Sequence, residues 1–257
     1  QRLTRQVSLT DEGERIFEIL QSAMGELSEA LERSSQPEIA GAIALYARPS
    51  VAQCWLVPRL ADFIERYPLV SLDLRVGNDN VDFRTRKIDL ALYYANGEFP
   101  GLTSQRLMRE CMAPVCSPEY AQRHRLHENP QNLSNCTTLH DSLAWDHAAY
   151  DAEWTLWAEQ HNLLAALPKR TLTFDRSDLC VTAAMSHAGI AIGRQQLVQK
   201  RVDRGELVLP FGGFRQYGHY DYYLVHPPLN VVPKRLQVFM NWLHMCAQEQ
   251  TIEQRPN

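Results

Sequence analysis

The residues able to do chemistry fall where strands should end. Tyr46-Ala47-Arg48-Pro49-Ser50 closes a first strand and opens a helix that carries Gln53 in its first turn. A serine at that point offers a hydroxyl, the free N–H groups behind it and the positive end of the helix dipole, a combination that suits a carboxylate. The same serine also serves as a plain N-cap, and both uses stay open. A second strand ends in Gly77-Asn78-Asp79-Asn80, residues that form turns readily, although an aspartate there also suits an ammonium group. A third ends in Tyr93-Tyr94, where a ring either walls a cleft and offers a hydroxyl or simply packs. Farther on, His140-Asp141 follows a strand with Trp145 close behind. Phe174-Asp175-Arg176-Ser177-Asp178 follows another strand and opens a helix, with Asp175 or Ser177 also placed to cap it. Two helix N-termini facing one cleft suit a small zwitterion. One end takes the carboxylate, and Asp79 or Asp141 takes the amine. The candidate ligand-binding set is therefore Arg48, Ser50, Gln53, Asp79, Asn80, Tyr93, His140, Asp141, Trp145, Asp175, Arg176 and Ser177.

Catalysis has no positive support. There is no nucleophile elbow, phosphate-binding glycine loop or zinc spacing, and Gly189-Ile190-Ala191-Ile192-Gly193 does not satisfy a dinucleotide fingerprint. Neither cofactor nor metal is expected. Cys54, Cys111, Cys116, Cys136, Cys180 and Cys246 are scattered without a C-x-x-C pair and read as free thiols of a reducing cytoplasm. His124 and His127 lack an accompanying ligand cluster and read as surface histidines.

The elements that position these residues show as changes of periodicity. Thr10 can cap a first helix, with Asp11 and Glu12 in its first turn. Ile16, Leu20, Ala23, Leu27 and Ala30 then recur as an a/d seam of the kind that pairs helices between chains, although packing on its own domain gives the same pattern. Pro37 ends that segment, so residues 1–37 read as a dimerising arm. Strands follow over 39–46, 70–76 and 88–94, separated by a helix over 50–67, interrupted near Pro58, and a short helix or turn at 84–87. This β-α-β-α-β order predicts a parallel sheet covered on both faces. The order repeats, with strands at 112–116, 137–140, 171–174, 190–192, 207–209 and 220–225 and helices at 118–125, 153–162, 177–187, 195–202 and 232–247. The expectation is an α/β chain with two Rossmann-like subdomains, one of residues 38–112 and 214–257 and the other of 113–213, and a cleft at the carboxyl ends of the strands.

Composition sets the outer limits. The 257 residues are 45% hydrophobic and 22% charged, with a net charge of -4, an ordinary balance for a soluble globular chain. A chain that gripped DNA by its own phosphate contacts would carry a basic face. No apolar run approaches the ~20 residues of a spanning helix, and the N-terminus lacks the apolar core of a signal peptide.

Val7-Ser8-Leu9-Thr10-Asp11-Glu12-Gly13 resembles the V-x-L-T-x-x-G element with which the wing of LysR-type transcriptional regulators runs into the linker helix. Arg66-Tyr67-Pro68, Ile88-Asp89-Leu90-Ala91, Ser117-Pro118-Glu119-Tyr120 and Gly189-Ile190-Ala191-Ile192 look like that family's effector domain, so the resemblance spans the whole chain. Within the family, the blocks 48–58, 77–81, 114–124, 174–179 and 197–201 are similar to activators of D-serine breakdown. The resemblance implies a periplasmic-binding-protein-like fold of type 2 behind a linker helix. It implies a small effector, D-serine, held between the subdomains with Ser50 as the hydroxyl residue of the first helix. It also implies a cytoplasmic activator that forms homodimers or tetramers, contacts promoter DNA only as the full-length protein, and has no membrane association. The sequence departs from the family's pattern at its start, where only the end of the wing is present and the recognition helix is not. Two rival readings remain: a two-lobed solute-binding protein for a small amino acid, which has no need of a dimerising arm, and an amino-acid enzyme, for which no cofactor lysine or metal cluster is found.

Overall fold

The computed structural model describes residues 39–253, together with Gly13 and Phe17, both of which are helical. The chain divides into one unit of residues 1–39 and a second of residues 40–257. The expected cap at Thr10 and the seam Ile16, Leu20, Ala23, Leu27 and Ala30 lie outside the described residues.

Two sheets organise the second unit. The first contains β1 (Gly41–Ala47), β2 (Val70–Val76), β3 (Leu90–Ala95), β4 (Thr103–Met108) and β9 (Asp221–His226), in the order β2-β1-β3-β9-β4. The second contains β5 (Met112–Val115), β6 (Thr137–Asp141), β7 (Arg170–Phe174) and β8 (Ile190–Arg194), in the order β5-β8-β6-β7. The chain leaves the five-stranded lobe after β4 and returns at β9. These two crossings are tied side by side, with the Met112 amide donating to the Arg215 carbonyl at 2.8 Å and the Arg215 amide to the Met112 carbonyl at 3.0 Å.

The parallel order expected of the first three strands is present, and each sheet also carries antiparallel pairs. β1 is parallel to β2 and β3, and β6 is parallel to β7 and β8. β9 runs antiparallel to its neighbours β3 and β4, and β5 antiparallel to β8, because β9 and β5 each enter their sheet from the other lobe. β4 itself was missed: Thr103-Ser104-Gln105-Arg106 is polar and exposed, and an edge strand has little apolar signature. The strand expected at 207–209 reduces to a single bridge between Val208 and Cys116.

The first helix reads in four pieces. α1 (Pro49–Val51) runs into a π-turn at Ala52–Leu56, a tight turn at Val57–Arg59 and then α2 (Leu60–Arg66). Pro58 has no N–H to continue the ladder, and the Val57 amide reaches back to the Ala52 carbonyl, widening the turn. The remaining helices are α3 (Phe83–Arg86), α4 (Pro118–Arg123), α5 (Ala152–Gln160), α6 (Ser177–Met185), α7 (Gln195–Asp203) and α8 (Lys234–Glu253).

Each lobe has its own core. In the five-stranded lobe Phe63 meets Phe239 at 4.8 Å and Trp242 at 5.2 Å between ring centroids, which seats α8 on α2. In the other, Tyr120, Leu126, Leu133, Trp154, Trp157 and Ile190 share one buried cluster.

Candidate functional site

A cavity of about 300 Å³ opens between the two sheets. The five-stranded lobe contributes Arg48, Pro49, Ser50 and Val51 from the β1–α1 junction, Asn78 after β2, Tyr94 from β3, and Tyr220 and Tyr222 at β9. The four-stranded lobe contributes the segment from Asp141 to Ala148, Asp175 and Arg176 before α6, Arg194 at the end of β8, and Leu197. Both sets lie at the carboxyl ends of parallel strands, where the strand-end dipoles and helix starts of an α/β sheet converge.

Six of the expected residues line this space: Arg48, Ser50, Asp141, Trp145, Asp175 and Arg176. The others stand behind it or away from it. Gln53 accepts from the Arg176 guanidinium at 2.9 Å. Asn80 accepts from Arg48 at 3.4 Å. Ser177 is buried at the start of α6. The Tyr93 hydroxyl accepts from the Val81 amide at 2.8 Å, and its ring lies beneath Arg48. His140 meets the Thr138 hydroxyl at 2.8 Å, and burial lowers its pKa. Asp79 is exposed, pairs with Arg86 at 2.8 Å and accepts from the Tyr46 hydroxyl, so it does not reach the cavity.

Several lining residues escaped the sequence reading. Of the pair Tyr93-Tyr94, strand alternation sends Tyr94 to the cavity and Tyr93 to the opposite face. Tyr220, Tyr222 and Arg194 were also missed, although Arg194 closes a strand and the strand-end rule applied elsewhere would have found it.

Arg194 holds the most charged part of the wall. It is 5% exposed, donates to Glu153 at 2.9 Å and to the Ala144 carbonyl at 3.3 Å, and lies 3.6 Å from Asp141. Its guanidinium sits 4.2 Å over the Tyr94 ring. Burial opposes its charge, but Glu153, Tyr94 and Asp141 outweigh that and keep it protonated. Burial also pushes Asp141 above the usual carboxylate range, against the pull of Arg194. Glu153 is raised to about 7 by burial, again opposed by Arg194. Trp145 donates to the Tyr94 hydroxyl at 3.2 Å, so an indole of one lobe is pinned to a phenol of the other. The wall thus presents cations and carboxylates around aromatic faces, an environment for a small ligand bearing both charges.

Residues 36–247 match the family model described as the LysR substrate binding domain. The chain belongs to the LysR-type transcriptional regulators. It is 46% identical over 242 residues to the HTH-type transcriptional regulator DsdC of Escherichia coli K12, covering 94% of this chain and 77% of that one. It is 29% identical over 210 residues to the glycine cleavage system transcriptional activator of the same strain, covering 82% and 67%. Among solved LysR-type structures, the effector domain of AmpR from Pseudomonas aeruginosa superimposes with a TM-score of 0.66 at 26% identity, over 83% of this chain and 99% of that one. CrgA from Neisseria meningitidis shares the fold, with a TM-score of 0.64 at 23% identity over 97% and 83%. LysR-type relatives are regulators rather than enzymes, and the solute-binding alternative is not favoured. Among the described residues, no helix is long and apolar enough to cross a membrane, and no group of three or more metal-ligating side chains occurs.

Proposed function

We propose that this LysR-type activator senses D-serine in the cavity between two subdomains, 38–112 with 214–257 and 113–213. The observation that carries the reading is a space of about 300 Å³ lined by Arg48 and Ser50 from one lobe and by Asp141 and Arg176 from the other. That volume lies at the small end of the roughly 300–1,000 Å³ typical of ligand pockets, which favours a very small molecule. The likeness to DsdC, from which the D-serine expectation comes, supports the choice. In this reading the effector carboxylate meets Arg48, Ser50 and Arg176, and the ammonium meets Asp141. Asp79 is set aside as the amine partner because Arg86 already neutralises it. Gln53, Asn80, Tyr93, His140, Asp175 and Ser177 shape or support the wall. Contacts to both subdomains shift their relative orientation only by the effector's differential affinity for the two states. In the full-length homodimer or tetramer, working in the cytoplasm on promoter DNA, that shift would reset the spacing of the DNA-reading heads.

Titration calorimetry with D-serine, L-serine and D-threonine tests this. Saturable binding selective for D-serine is expected. A hydrogen bond to a charged group is worth about 1.5–3 kcal/mol, so Ser50→Ala and Asp141→Asn should each weaken binding roughly ten-fold or more. Equal affinity in both variants would move the ligand elsewhere. No heat from D-serine would remove it as the effector.

A further inference from the structure

The hydroxyl assigned to the effector is already in use. The Ser50 hydroxyl donates to Asp178 Oδ1 at 2.8 Å and accepts from the Asp178 amide at 3.3 Å. A serine hydroxyl has one proton, so its single donor is spent on a carboxylate of the other lobe. The contact caps α6 from across the cleft, since the residue preceding that helix, Arg176, makes no capping bond of its own. Its α6 side is buried, with Ser177 and Asp178, the first two residues of α6, 2% and 4% exposed, while Ser50 is half-buried at the cavity wall. Arg176 completes the clasp, holding Asp178 through Nε at 3.0 Å and Nη2 at 2.7 Å while reaching Gln53 in the five-stranded lobe at 2.9 Å.

From this geometry we infer that Asp178 is a built-in stand-in for the effector's carboxylate, which must take the Ser50 hydroxyl from it. The exchange is like for like, a carboxylate for a carboxylate on one donor. Asp178 can let go without becoming an unpaired buried charge, because both of its oxygens stay on Arg176. Turning the Ser50 proton to the effector breaks the hydroxyl–carboxylate bond between the lobes, so occupancy is read out as a change in how the lobes are joined. This rests on the effector reading above and adds the internal competitor.

Calorimetry with D-serine on the wild type, Asp178→Asn, Asp178→Ala, Ser50→Ala and the Ser50→Ala/Asp178→Ala double variant decides it, with circular dichroism confirming that each is folded. Removing the competing carboxylate should tighten D-serine binding on the order of ten-fold in Asp178→Ala, with a smaller gain in Asp178→Asn, which keeps the shape. The gain should vanish in the Ser50→Ala background, because the competition is for that hydroxyl. Unchanged or weaker binding in Asp178→Ala, with the wild type still binding, would overturn it and leave D-serine standing as effector. No heat from any protein would overturn both.

Discussion

Arg194 is a charge taken almost wholly out of water, and it survives there because two carboxylates and an aromatic face surround it. Removing one partner of such a group is costly, since the others are left charged and unsolvated. Arg194→Met should lower stability by about 3–5 kcal/mol in urea unfolding. Glu110 is a second buried group, standing between β4 and β5 at the first crossing. Its amide donates to Asp221 at 2.9 Å, one carboxyl oxygen accepts from the Cys111 amide at 2.9 Å, and burial raises it to about 8. In the unfolded chain a glutamate titrates near 4.5. Between these values the folded state binds the proton more tightly, so folding is favoured at low pH and loses stability as pH rises towards 8. The melting temperature of the wild type should therefore fall between pH 5 and 8.5 more steeply than that of Glu110→Gln.

At the scale of elements, sheet and helix contacts leave little slack. An added Cβ at Gly189 would lie 2.5 Å from the Thr137 carbonyl oxygen, a backbone atom fixed by the β6–β8 pairing. Gly189→Ala should cost about 1–3 kcal/mol by overpacking, measured by thermal unfolding. Phe239 is fully buried between Phe63 and Trp242. Phe239→Ala should cost about 3–5 kcal/mol and loosen the seat of α8 on α2.

Across the whole effector unit, the lobes are held by few direct bonds: Ser50 to Asp178, Gln53 to Arg176 and Trp145 to Tyr94 among them. A ligand in the cavity adds bonds to both lobes. If D-serine binds only the folded protein, a concentration of 100 times its Kd should stabilise it by about 2.7 kcal/mol, a rise of several degrees in Tm. L-serine at equal concentration should give a smaller shift, and equal shifts would count against the stereoselective reading.

The sequence by itself determined the α/β class, the limits of β2 and most of the other parallel strands, because their apolar residues either alternate, as Val70, Leu72, Leu74 and Val76 do, or run together, as in Leu90-Ala91-Leu92. It also pointed to strand ends as the site, and six of its twelve chosen residues line the cavity. Tertiary structure decided the rest. The polar edge strand β4 is held by its neighbour rather than by a pattern of its own. The direction of β9 follows from a crossing made more than a hundred residues after the chain left that lobe. Which tyrosine of Tyr93-Tyr94 faces the cavity is a matter of register, where one residue changes the face. That Asp178 belongs to Ser50 depends on a contact between segments far apart in the chain, and spacing along a chain carries no record of the distance across a cleft.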